Sequence, residues 1–70
     1  MFYRRIRELR EDSDLSQREF AELLGMHRTT YVRYEKGDRE IPTDVLISIA
    51  DYYRVSLDYI TGRTDNPEIK

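Results

Sequence analysis

Apolar residues recur along this chain at helical spacing, in five groups separated by short polar turns. Phe2, Ile6 and Leu9 fall at i, i+4 and i+7, one stripe of a helix over 2–11, with Arg4, Arg5, Arg7 and Arg10 around the remainder. After the polar turn Asp12-Ser13-Asp14, Ser16 and Glu19 have the spacing of a capping box, and Leu15 and Phe20 that of a hydrophobic staple. This predicts a helix over 16–24 that buries Phe20, Leu23 and Leu24, with small Ala21 on the same side, and stops at Gly25. Met26 and Tyr31 repeat the staple at the head of a helix over 28–36, ended by Gly37. Ile41 is expected to drop into the core from the following loop, and Thr43 to cap a helix over 44–53. Val45, Leu46, Ile49, Ala50, Tyr52 and Tyr53 cover an arc wide enough for the central core helix. Val55 and Ile60 staple a short helix over 56–61, capped by Ser56 and ended by Gly62. Residues 63–70 are polar, include Pro67 and have no period; they are expected to form a loose tail behind a domain of residues 1–62. The pattern is all-α.

The third helix has two chemically different sides. At about 100° per residue, Tyr31 and Tyr34 point one way, while Thr29, Val32, Arg33 and Lys36 point the other, with Arg28 beside them in the first turn. Such a helix can read a DNA major groove: arginine bonds guanine through two hydrogen bonds, threonine adapts, and a small apolar group meets the thymine methyl. The competing reading is an ordinary solvated face. Tyr31, Tyr34 and Tyr53 read as core rings with the hydroxyl at the rim. Arg39, in the next loop, is placed to meet a phosphate across the groove.

Gln17 opening the second helix, Ala21 within it, Gly25 at the turn, apolar or aromatic Met26, Tyr31 and Tyr34, and the close Tyr34-Glu35-Lys36-Gly37 stand in register. The stretch resembles the helix-turn-helix of the Cro and phage-repressor type, the Xre family, and the likeness covers roughly Phe2 to Gly62. It implies a five-helix lambda-repressor-like DNA-binding domain with a central helix-turn-helix, and a sequence-specific double-stranded DNA-binding transcriptional regulator, foremost a repressor, with an activator, an antitoxin or the N-terminal domain of a longer regulator left open. By the same resemblance Arg28, Thr29 and Arg33 read bases, Gln17 and the helix start beneath it grip a phosphate, and Arg10 pairs with Glu35. Val32 and Lys36 are secondary candidates, for a thymine methyl and a phosphate. His27 departs from the family, which usually has Ser or Thr there; imidazole is the poorer cap. It either contacts a phosphate or base edge or simply faces solvent.

Composition narrows the rest. Seventy residues without cysteine have no disulfide or thiolate metal site to staple a core near the lower size limit. One histidine, scattered carboxylates and no phosphate-cradling glycine loop leave an enzyme, a metal or a cofactor no residues to work with. No apolar run approaches the roughly 20 residues of a membrane span, and no export signal is visible, which together fit a cytoplasmic protein. Net charge is −2 and pI about 5.3, yet the charge is polarised. From His27 to Arg39 four bases (Arg28, Arg33, Lys36, Arg39) face two acids (Glu35, Asp38), a local +2. From Glu40 onward six acids (Glu40, Asp44, Asp51, Asp58, Asp65, Glu68) face three bases (Arg54, Arg63, Lys70), a local −3. The acidic total keeps an alternative alive: a protein-interaction module, or an antitoxin-type partner of a toxin, on the same fold with little or no DNA binding. One such module buries only about 600–1,000 Å² on DNA. A symmetric homodimer on a near-palindromic operator is therefore expected. Ile47, projecting among Asp44, Ser48, Asp51 and Arg54, marks the pairing surface, with Tyr59, Val55 and Leu57 beside it.

Overall fold

Helix boundaries follow from how each start finds a partner for its first backbone N–H groups. The computed structural model describes residues 2–69 and holds five helices: α1 (Arg4–Asp12), α2 (Gln17–Leu23), α3 (Arg28–Lys36), α4 (Thr43–Tyr53) and α5 (Leu57–Ile60). No strand occurs among the described residues. Ser16 opens α2 with a complete capping box: its Oγ accepts from the Glu19 N–H at 3.0 Å, and its own N–H donates to Glu19 Oε1 at 2.9 Å. That backbone donor holds the Glu19 carboxyl below its usual range. Ser56 caps α5, accepting from the Tyr59 N–H at 3.0 Å. His27 sits at the N-cap of α3 and makes no capping hydrogen bond.

Two starts differ from the sequence expectation. α4 begins at Thr43, not after it, because the Pro42 carbonyl already accepts from Val45 and Leu46 at 3.0 and 3.1 Å. α1 begins at Arg4, with Tyr3 as its N-cap. Phe2 is 51 % exposed rather than part of the buried stripe, and its backbone lies against Gly37. A β-carbon at Gly37 would stand 3.1 Å from Phe2 Cβ and 3.3 Å from its Cα and N, and the glycine's φ is +82°. Gly37 therefore ends α3 in a left-handed conformation and also leaves room for the start of the chain.

The core centres on Phe20, which is 0 % exposed. Its ring meets Tyr31 edge-on at 5.3 Å, Tyr52 at 5.9 Å and Tyr53 at 5.7 Å, joining α2, α3 and α4. Burying one such ring contributes about 1.5–3 kcal/mol. Ala21 and Ile49 extend the core on α2 and α4, Ile6 of α1 and Ile60 of α5 close it, and Ile41 drops into it from the loop. Leu23 does not join: it is 53 % exposed. On the helical wheel Leu24 falls between Phe20 and Ala21, whereas Leu23 falls outside them. Tyr52 also stays half exposed, its ring edge-on to Phe20. The Tyr53 hydroxyl reaches the rim and pairs with Ser13 Oγ at 2.9 Å. The Tyr31 hydroxyl does not; it is buried and has no hydrogen-bond partner among the described residues.

The segment after Gly62 is not loose over its described part. Arg5 stacks on the Tyr59 ring, 4.2 Å from its centroid, and donates to the carbonyls of Tyr59 and Thr64 and to Asp65 Oδ1. The Ser56 N–H donates to the Pro67 carbonyl at 2.9 Å. Arg5, which the sequence pattern places only off the apolar stripe of the first helix, is thus the clasp that turns the tail back across α5.

Candidate nucleic-acid interface

α3 has nine residues and is about 14 Å long, a length that fits a major groove about 12 Å wide. Tyr31, Tyr34 and Glu35 are buried on its inner side. Arg28, Thr29, Arg33 and Lys36 are exposed on the outer side, and Val32 is half-buried at the edge of that face. These five side chains line one shallow surface groove, with Asp38 at its end. Arg39 is exposed in the following loop and lies outside this groove.

The inner side is held by a polar cluster. Arg10 of α1 donates from Nε to Glu35 Oε2 at 2.9 Å and from Nη2 to Oε1 at 3.0 Å, while its Nη1 donates to the Leu15 carbonyl at 2.8 Å. Gln17 of α2 adds a third bond, from Nε2 to Glu35 Oε1 at 3.2 Å. One carboxylate thus ties α3 to α1 and α2. Burial pushes the Glu35 carboxyl up, but the hydrogen bonds and charge of Arg10, with the Gln17 amide, outweigh it and leave the group below its ordinary range. The hydrogen bond to Glu35 holds Arg10 above its own. Burial, then the neighbouring Glu35 carboxylate, drives the Tyr31 phenol upward, so that ring stays neutral. The Gln17 side chain expected on a phosphate is therefore partly committed inward; one hydrogen of its amide nitrogen is left.

Positive charge is divided between two parts of the molecule. Arg4 pairs with Glu8 at 3.7 Å, Arg5 with Asp65, Arg7 with Glu11 at 3.3 Å, Arg10 with Glu35 at 2.9 Å and Arg63 with Asp58 at 3.7 Å. Among the described residues no acid lies within ion-pair distance of Arg18, Arg28, Arg33, Lys36 or Arg39. Arg54, at the end of α4, is likewise unpaired. Arg18 was not singled out by the sequence pattern. It stands with Glu22 of α2 in a second groove that continues past Met26 and His27 to Arg28 and Thr29. Its signal was its position, away from the Phe20 and Ala21 side of α2, and it becomes visible only when α2 and α3 are taken together.

The expected pairing residues separate. Ile47 is 45 % exposed and Leu57 36 % exposed. Val55 is buried at 9 %, because the left-handed turn at Arg54 brings it inward, so it offers no surface. Tyr59 is half-buried beneath Arg5.

Two short helices meeting at a glycine turn, the second presenting unpaired cations outward, define a helix-turn-helix DNA-binding domain. A helix-turn-helix family model matches residues 6–60, and the chain belongs to that family, of the Cro/Xre type. It is similar to the uncharacterized HTH-type transcriptional regulator YobD of Bacillus subtilis, 39 % identical over 70 residues, covering 100 % of this chain and 62 % of that protein. It also resembles the cryptic phage CTXphi transcriptional repressor RstR of Vibrio cholerae, 37 % identical over 57 residues, 81 % of this chain and 51 % of the relative. The antitoxin PezA of Streptococcus pneumoniae is 36 % identical over 62 residues, 89 % of this chain and 39 % of the relative. The chain thus spans only 39 to 62 % of the length of these relatives. No solved structure matches.

Proposed function

We propose that this chain binds double-stranded DNA sequence-specifically and acts in transcriptional regulation as a repressor. The observation that carries this reading is the division of cations: among the described residues those on the α2–α3 face have no acid within ion-pair distance, while those on α1 are paired. Cations held out of ion pairs on one face are the electrostatic footprint of a phosphate-binding surface. Arg28, Thr29 and Arg33 read base edges from α3, with Val32 against a thymine methyl. Lys36, Arg39, Arg18 and the free amide hydrogen of Gln17 take phosphates. The repressor role draws on the likeness to RstR, which is named a repressor. The likeness to PezA, named an antitoxin, supports a second reading in which the DNA-binding domain also answers to a protein partner such as a toxin. The functional unit on DNA is a symmetric homodimer that pairs through Ile47 and Leu57 and reads half-sites about 34 Å apart.

Selection of bound fragments from a random DNA library, followed by gel-shift titration at low and physiological salt, tests the reading. A recovered near-palindromic site whose affinity falls steeply with salt is the expected result. Absence of any retained DNA at low salt would overturn it.

A further inference from the structure

On the side of α4 and α5 lies a cleft of about 450 Å³, in the size range of sites that take small ligands and peptide side chains. Its floor is Ala50 and Val55, and its mouth is framed by Ile47, Leu57 and Ile69, which are 45, 36 and 63 % exposed. A single exposed apolar side chain is unremarkable on any surface. Three around one opening are not scattered; they form a contiguous patch of the kind that marks an interaction site. The cleft is built rather than incidental, because its second wall is the tail, fixed by the Arg5 contacts to Thr64 and Asp65 and by the Ser56–Pro67 bond.

The lining charge is one-sided. Asp51, Asp58 and Glu68 border the cleft, and among the described residues no lysine, arginine or histidine does. Asp58 meets Arg63 at 3.7 Å, but both side chains are largely exposed, so the pair is weak. Asp51 and Glu68 have no ion partner among the described residues. We propose that this cleft is a docking site for an amphipathic helical segment of a partner protein, with apolar anchors for the floor and lysine or arginine flanking them. An amphipathic helix laid in a groove is a recurring recognition mode, and opposite charge at the rim selects the partner. A second copy can pair over Ile47 and Leu57 at the mouth, as proposed above, but it is the poorer occupant of the cleft, since it sets the same three acids against one another across a two-fold axis. Docking of the segment displaces any pairing through Ile47, which makes the cleft a point at which a partner protein controls DNA binding.

Three synthetic helical peptides test this on the full chain by fluorescence anisotropy and amide chemical-shift mapping. The first has leucines at i, i+3, i+4 and i+7 flanked by lysines, the second replaces the lysines with glutamates, and the third replaces the leucines with serines. The first alone should bind and shift the amides of Ile47, Ala50, Leu57 and Ile69. Combined Asp51→Asn and Glu68→Gln, both exposed and remote from α3, should weaken it by at least about tenfold. Equal binding of the first two peptides, shifts confined to α3, or no binding would each overturn the proposal. So would cleft amides already perturbed by self-association that the first peptide fails to displace, since the cleft would then belong to a second copy.

Discussion

Glu35 is the residue whose removal should be felt across the site, because its carboxylate is 5 % exposed and accepts from Arg10 twice and from Gln17. Breaking a buried pair from one side costs about 3–5 kcal/mol, whereas an exposed i,i+4 pair is worth about 0–1 kcal/mol. Glu35→Gln should therefore lower the melting temperature far more than Glu11→Gln, which breaks only the exposed pair with Arg7. Most of the excess should disappear when Arg10→Met is added; equal melting points for the two single variants would remove the pair from the account. The same carboxylate has a pH signature. Its folded pKa lies below the ordinary value of about 4.3, so the folded state binds fewer protons than the unfolded one. Its stabilisation is complete above that ordinary value and is lost as pH falls through the lower folded one. The stability gap between parent and Glu35→Gln should accordingly narrow in acid melts. On the outer side of α3, Arg28→Ala and Arg33→Ala should each cost about 1–3 kcal/mol on the selected operator and relax preference at one base pair. Arg39→Ala should weaken all sequences alike and reduce the salt slope. Equal losses on operator and random DNA for Arg33→Ala would mean that it holds phosphate.

At the scale of elements, the helices of the motif were legible because caps, staples and glycine stops are written in side chains. Ser16 with Glu19, Gly25 and Gly37 punctuate the chain where the helices end. What escaped the pattern was held by backbone groups. The carbonyl of Pro42 starts α4 early, and the carbonyls of Tyr59, Thr64 and Pro67 fasten the tail. No side-chain periodicity encodes those acceptors. The base-reading candidates were visible because one helix carries them all, whereas Arg18 needed two helices side by side. The weak start of α3 was visible too. His27 occupies its N-cap without capping it, and a serine there would supply the missing acceptor. His27→Ser should stabilise the domain by about 0.5–2 kcal/mol, measured by urea unfolding with an unchanged m value. No gain would mean that the first amides of α3 are already satisfied by solvent. Operator affinity separates the two readings of His27, since a phosphate or base contact would be lost in the same variant.

The whole molecule measures 32 × 23 × 18 Å, its longest dimension commensurate with the turn of about 34 Å that separates half-sites on B-DNA. The proposed homodimer would set its two α3 helices in successive major grooves on one face of the duplex. The two interactions of that assembly should respond to salt in opposite directions. On the proposed reading DNA binding draws on the cations of the α2–α3 face, so added salt should weaken it. The proposed pairing through Ile47 and Leu57 would bring Asp51 and Asp58 of both copies together, so added salt, by screening like charges, should strengthen self-association. Sedimentation equilibrium over a salt series reads the second effect directly. Ile47→Glu removes the apolar contact and adds a further acid near the axis. The side chain is 45 % exposed, so the monomer should stay folded. The variant should be monomeric at concentrations where the parent pairs, bind a half-site like the parent, and bind the full operator more than about tenfold less tightly, without cooperativity. Parent-like binding of the full operator by Ile47→Glu would show that the copies do not pair through this face, leaving the acid-rimmed cleft free for a partner of opposite charge even on DNA.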